Sequence, residues 1–488
     1  MASALPAYVA STKPVPQADR VPWFASTAQT YAGIMLWFVF WHEVPLGSVL
    51  QPGKPYSEFA GGTLSQGLPV AFVGLILAAL ICHFLFYVVP GMLGMKTGLP
   101  LYIVGTSTYG VTGGFLMPGF LMGLLQYGWL AVNAFFAGVL LCAPFGQGPG
   151  TIAHAVVVTL WAIAAAFMGL KGIQYVAKVA TFLPLIPLAI LLILFFGTVG
   201  GLGNFNTAAL VEAGSTVEIP VEGGDPVTPK AALTSLGVIG LLCTYIIGFF
   251  ATAGAAGTDF GMNNRDAKDV QLGGLVGIAG ATVLAGGLAL LIVAGAHGSG
   301  MAGDGAALQA TALMTDIVGE KIAAVSWYLL AIAAFPPACF SSFIAANSFK
   351  TTLPKVNPYI SCGLGTLVAI ILAVTGLAGN AVGVFKIIGA SFGPVCGAMA
   401  ADYLLSGRKW AGPRAGFNAA GWISWLLGFA VGAADFIPGL KGHVPVPPLA
   451  AFVVGFVLYI VLAKAGLQGP ALEMPAGEKE PSPEPQEA

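Results

Sequence analysis

Residues Leu68–Met95 read LPVAFVGLILAALICHFLFYVVPGMLGM, with no Asp, Glu, Lys or Arg among them. A helix rises 1.5 Å per residue, so ~20 such residues already cross the ~30 Å hydrocarbon core of a bilayer. The same character extends over the whole chain. Of its 488 residues 57% are hydrophobic and 8% charged, where an ordinary soluble domain carries about 25% charged residues. So few charges cannot cover a water-facing surface of this size. The sequence therefore predicts an all-α polytopic protein solvated by the lipid bilayer.

Working outward from Leu68–Met95, hydropathy and Gly/Pro/charge punctuation give about twelve spans. The first six fall near Ser26–Leu50, Leu68–Met95, Phe115–Cys142, Thr151–Leu170, Ile173–Val199 and Leu233–Gly257. The others fall near Val270–Ala296, Lys321–Ser348, Asn357–Leu377, Ala381–Leu405, Gly416–Phe436 and Pro447–Leu467. Residues 21–468 form the membrane domain, flanked by polar tails at 1–20 and 469–488 that lack periodicity and are expected to be disordered. With the N-terminus inside, the connecting loops put Arg20, Lys96, Arg265, Lys350, Arg408 and Arg414 on the cytoplasmic side. Only Lys54, Lys230, Lys321 and Lys441 then lie outside. That bias orients both termini toward the cytoplasm of a cell-membrane protein.

The count fits two halves of five spans, the second inverted relative to the first, followed by two more. Transporters built on inverted repeats place their site at the midplane, in helices that break there. The sixth span, with Gly248, Gly254 and Gly257 around Thr252, reads either as such a break or as close packing on a neighbour. The first span has only Gly33 within Tyr31–Glu43, so a break there is less evident.

Composition also excludes functions. A formal net charge of −1 gives no electrostatic footprint for nucleic acid. The six cysteines sit singly in apolar runs and the five histidines are far apart, which leaves no metal or cofactor motif. Clustered acidic or His motifs of a membrane-embedded enzyme are likewise missing, as is the continuous polar face of a channel. The N-terminus lacks a signal-peptide pattern.

Ionisable groups at membrane depth are functional hypotheses. His42, Glu43 and Lys386 fall in the outer half of the membrane. Glu43 and Lys386 either pair with each other or reach the headgroups, or Glu43 takes up a transported proton. Asp259 and Asp402, at inner span ends, read as caps or bridges of loops. For a flat ring, Gln126 and Trp129 share one helix face in the third span. Phe249 and Phe250 precede the sixth-span glycines, and Phe340-Ser341-Ser342 follows Pro336-Pro337 in the eighth. Aromatic faces stack on a heterocycle while amides and hydroxyls read its edge.

These segments resemble the nucleobase:cation symporter-1 family, the purine and cytosine permeases. Met95-Lys-Thr-Gly-Leu99 is similar to its loop after the second span, and Gln126-Tyr-Gly-Trp129 to its third-span substrate motif. Phe250-Ala-Thr-Ala-Gly254 through Asn264-Arg265-Asp266-Ala267 resembles its broken sixth span and following loop. Gly393-Pro394 through Ala401-Asp402-Tyr403-Leu404 resembles the end of its tenth.

The resemblance implies a twelve-helix, LeuT-like fold working by alternating access, without covalent chemistry. It implies cation-coupled uptake of a nucleobase or related heterocycle, with an amino acid or hydantoin as the alternative cargo. The ring would stack between Trp129 and Phe250, with Gln126 on its edge, and Thr252, Gly254, Ser341 and Ser342 completing the site. The coupling ion would be Na+ or H+. Carbonyls near Ala32 and Met35 would face Cys339 in the eighth span, where family members with a sodium site carry hydroxyls. Cys339 offers no oxygen ligand for a hard cation, which favours a proton carried by Glu43.

Overall fold

The computed structural model describes residues 5–220 and 225–474. Residues 1–4, 221–224 and 475–488 lie outside them, and with them most of the C-terminal tail expected from the sequence. Among the described residues there are helices and isolated β-bridges but no strand. That is the solution lipid imposes, since a helix satisfies its own backbone groups.

Among the described residues nine helices are long and apolar enough to cross a membrane: Gly67–Thr97, Phe115–Phe145, Ile152–Lys171, Leu185–Asn204, Ser235–Ala255, Ala267–Gly298, Glu320–Thr352, Ala381–Leu405 and Pro447–Lys464. Each lies on a span read from the sequence. The ninth and eleventh spans are the shorter apolar helices Pro358–Val374 and Ala419–Gly432. Two spans are divided where hydropathy reads them as continuous. The fifth consists of Ile173–Ala180 and Leu185–Asn204, parted just before Pro184, whose missing N–H suits a helix start.

The first span consists of Thr27–Leu36 and Phe38–Glu43, parted by Trp37 with extended backbone angles of φ −60° and ψ 127°. Neither glycine nor proline marks that break, so composition could not reveal it. The sixth span runs unbroken through its glycines and turns only at Ala256, before the short helix Gly257–Gly261. Its glycines serve packing: a Cβ on Gly248 would lie 2.6 Å from the Phe385 carbonyl oxygen, and one on Gly254 would lie 2.9 Å from Phe86 Cβ. The tenth span answers with Gly389, Gly393 and Gly397, one helical turn apart, against Pro448 and Phe452 of the twelfth. Small residues at i and i+4 let backbones approach where lipid supplies no hydrophobic drive. The sixth, seventh and tenth spans are accordingly the most deeply buried. The fourth and ninth turn Leu160, Phe167, Leu364 and Ile371 outward to lipid.

The second and seventh spans each contain a six-residue π-helical segment, Cys82–Tyr87 and Leu275–Gly280. The two segments pack against each other.

Two expectations change. Residues 5–20, read as part of a disordered tail, lie along one end of the bundle. Val9 is fully buried, the Tyr8 hydroxyl donates to the Val111 carbonyl, and Arg20 donates to the carbonyl of Met95 at 2.6 Å. A few apolar and hydrogen-bonding side chains suffice to anchor a segment that composition classes as polar. Lys386 does not meet Glu43: its ammonium lies 2.6 Å from Asp435 in the turn after the eleventh span. Glu43 is 1% exposed, so it does not reach the headgroups.

Candidate functional site

Prolines 336 and 337 lie inside the continuous eighth-span helix Glu320–Thr352. They withdraw the N–H groups that would bond the carbonyls four residues earlier, at Ile332 and Ala333. Ala333 and both prolines line a cavity of about 1130 Å³ enclosed by the first, third, fifth, sixth and eighth spans. The inner end of the cavity is aromatic. Trp37 stands at the break of the first span, Trp129 on the third and Phe249 on the sixth, and all three line it. The Trp129 ring lies 5.2 Å from Phe249, edge to face, 5.1 Å from Phe385 and 6.1 Å from Trp37. The mouth is ringed by Gln29, Thr30, Tyr102, Lys350 and Thr351.

Polar groups at the inner end are few, as in small-molecule pockets generally. Trp129 Nε1 donates to Thr252 Oγ1 at 3.2 Å. Gln126 is 6% exposed, and its amide nitrogen finds only the Met122 sulfur at 3.6 Å. A thioether is a weak acceptor, so this amide is effectively available. Asn133 also lines the cavity, but its amide is engaged: it donates to the Ala334 carbonyl at 2.9 Å and accepts from Trp161 at 3.0 Å. The buried indole Nε1 of Trp37 has no partner among the described residues. The charged residues of the lining are Lys350 at the mouth and Asp259, which accepts from the Leu101 N–H at 2.9 Å.

The structure brings together only part of the set read from the sequence. Gln126, Trp129, Thr252 and Ser341 line the cavity. Phe250 does not: it is fully buried with its ring 5.6 Å from Tyr31, and Phe249 takes the place facing Trp129. Adjacent helix residues point about 100° apart, so a shift of one residue decides which ring meets the ligand. Gly254 packs on Phe86, and Ser342 is 1% exposed and donates to the Ala338 carbonyl at 3.3 Å. Cys339 is buried, its carbonyl against Gly169 of the fourth span. Ala32 and Met35 sit in the first half of the first span, outside the cavity lining. Phe340, offered with Ser341 as a candidate for the ring site, also lines the cavity, whereas Trp37 and Asn133 are lining residues that the sequence did not place there. An Asn in the middle of the third span was the signal for one of them, since an amide in an apolar helix needs a partner.

A multi-pass helical protein with a broken first span and a mid-bundle cavity open at one end is a transporter. Its relatives agree. The family model described as permease for cytosine/purines, uracil, thiamine, allantoin matches residues 58–462, and the chain belongs to that family. The cytosine permease of Escherichia coli (strain K12) is 25% identical over 419 residues, covering 83% of this chain and 87% of the relative. Two solved structures share the fold. Mhp1, a nucleobase-cation-symport-1 family transporter, in a closed conformation with bromovinylhydantoin bound, gives a TM-score of 0.57 at 16% identity over 94% of this chain and 95% of that one. The inward-facing conformation of Mhp1 gives 0.62 at 13% identity over 94% and 97%. The resemblance read from the motifs is thereby borne out at the level of family and fold.

Proposed function

We propose that the protein takes up a nucleobase or related flat heterocycle across the cytoplasmic membrane, coupled to H+ or Na+, by alternating access. The observation that carries this reading is the aromatic end of the cavity, where Trp129, Phe249 and Trp37 flank the unengaged amide of Gln126. Such walls stack a ring, and a primary amide offers one donor and one acceptor side by side. The Trp37 N–H adds a donor for a ring carbonyl or ring nitrogen. Charged residues line only the mouth and the Asp259 wall, which favours a neutral ring over an amino acid. Cytosine, the cargo named for the Escherichia coli relative, presents this edge chemistry.

Twelve spans in inverted five-span repeats account for one paired irregularity, the π-helical segments of the second and seventh spans. With the basic loops and both termini on the cytoplasmic side, the mouth at Lys350 faces inward. The test is a thermal-shift screen of purified protein against nucleobases, hydantoins and amino acids, with and without sodium. A ligand that binds the folded state raises the apparent melting temperature with concentration. Stabilisation by amino acids alone would exclude the heterocycle reading.

A further inference from the structure

The second half of the first span, Phe38–Glu43, leads away from the cavity into a buried polar cluster on the closed side of the bundle. Glu43 is 1% exposed and His42 is 3% exposed. Glu43 Oε1 accepts from Gln309 Nε2 at 2.5 Å, and His42 Nδ1 lies 3.1 Å from Thr311 Oγ1. Gln309 and Thr311 belong to the connection between Gly298 and Met314, which covers this end, and Trp327 pins it by donating to the Thr311 carbonyl at 3.0 Å. The other carboxyl oxygen, Glu43 Oε2, has no partner among the described residues. His42 Nε2 lies 3.2 Å from Oε1 without completing a hydrogen bond.

An ionised carboxylate with one oxygen orphaned in an apolar interior is far costlier than a neutral acid. Of its contacts, the Gln309 hydrogen bond favours the charged form, and at one oxygen alone. Among the described residues no lysine or arginine pairs with Glu43. The sixth span faces the cluster with Tyr245, whose hydroxyl already donates to the Phe40 carbonyl at 2.6 Å. The third span presents Phe136 to the His42 ring, 5.1 Å away. In the cover, His297 holds the Ala307 carbonyl at 2.9 Å and Asp304 binds Tyr56.

We propose that Glu43 is the binding site of a coupling proton, loaded from the outer side and sealed by the Gln309–Thr311 cover once the carboxyl is neutral. This deepens the transport reading above and rests on it. With the cover lifted, Oε2 meets water and takes a proton; with the cover closed, the resulting carboxylic acid is the form the pocket accepts. His42, packed 5.4 Å from Phe38 on the cavity wall, is next in line to pass the proton on to the inward-facing cavity. Each cycle carries one proton with one substrate and changes no covalent bond of the cargo.

The test uses the full chain in proteoliposomes with radiolabelled cytosine and an entrapped pH dye. In the wild type, cytosine inflow acidifies the lumen, and an inward proton gradient drives accumulation. Glu43→Gln, which mimics the neutral acid, loses gradient-driven accumulation, and its exchange loses pH dependence. Cytosine inflow without lumen acidification, or wild-type accumulation by Glu43→Gln, overturns the proposal. A second measurement needs no cargo: the infrared difference spectrum between wild type and Glu43→Gln shows the carbonyl stretch of a protonated carboxyl at neutral pH. Its absence overturns the proton site even if cytosine moves. Its presence in a protein that moves no heterocycle overturns the cargo reading instead.

Discussion

Trp129 of the third span donates its indole N–H to Thr252 of the sixth at 3.2 Å, closing one wall of the cavity with a polar bond between two spans. The bond fixes the plane of the Trp129 ring against Phe249, so the surface offered to a ligand is set before the ligand arrives. Preorganised walls reduce the ordering cost of binding. Thr252→Val keeps the side-chain volume and removes the acceptor. The expected outcome is about 1 kcal/mol weaker ligand binding with little change in expression, read by calorimetry on purified protein. Trp129→Ala removes the wall and should abolish binding while the protein still elutes as a single detergent-solubilised species. Binding that survives Trp129→Ala would exclude stacking at this position.

Trp37 carries the second prediction. Its Nε1 is buried and unpartnered beside the same cavity, and an unmet donor is costly until a ligand meets it. Trp37→Phe keeps an aromatic wall and removes the donor. Ligands with a carbonyl or ring nitrogen on that edge should lose about 1 kcal/mol of binding, and analogues lacking the acceptor should lose none. Equal losses for both ligand sets would show that Trp37 contributes only its surface.

These two residues show what the sequence could and could not reveal. Trp129 and Gln126 were legible because a Trp and an amide at i and i+3 in an apolar helix share a face and need partners. The spans were legible for the same elementary reason: charge-free length has no place in water. The break at Trp37 was not, because extended backbone there is imposed by tertiary packing and leaves no glycine or proline behind. Phe249 and Phe250 were legible as a pair, but helix phase over a 21-residue span cannot be read to one residue. Gln309 and the true partner of Lys386 escaped for a third reason. Gln309 lies 266 residues from Glu43 and Asp435 lies 49 from Lys386 in sequence, and only the fold brings each pair together.

The loop clasp between Glu58 and Lys230 gives a pH prediction. Glu58 accepts from Lys230 at 2.6 Å and from Ser48 at 2.8 Å, while backbone bonds join Lys230 to Glu58 and Ala60. Burial pushes the Glu58 carboxyl up, but the Lys230 and Ser48 hydrogen bonds and the Lys230 charge outweigh it and hold it below its ordinary 4.5. A group depressed in the folded state contributes stability above its unfolded value, lost as pH falls through the folded one. The clasp should therefore be intact at neutral pH and weaken below about pH 4.5. Glu58→Gln should flatten the acid side of the thermal-stability profile. Both partners are partly exposed, so raised salt should mimic part of the effect.

The last prediction concerns Asp402 and Arg414 near the end of the bundle that carries the cavity mouth. The Asp402 carboxylate accepts from Arg414 and Tyr459 at 2.9 Å each and from Ser107 at 2.5 Å. Arg414 also donates to the Ser107 carbonyl, and Asn418 reaches the Tyr459 hydroxyl at 3.2 Å. One buried ion pair thus ties the loop after the second span, the tenth and twelfth spans, and the loop before the eleventh. Asp402 is 2% and Arg414 6% exposed, so removing one partner strands the other charge away from water. Breaking a buried pair in this way costs about 3–5 kcal/mol. Asp402→Asn should lower the melting temperature in detergent by several times the shift from Glu58→Gln. Asp402→Asn combined with Arg414→Met removes both charges and should recover part of the loss. A double variant as unstable as the two single losses added together would show that Asp402 and Arg414 act independently rather than as a pair.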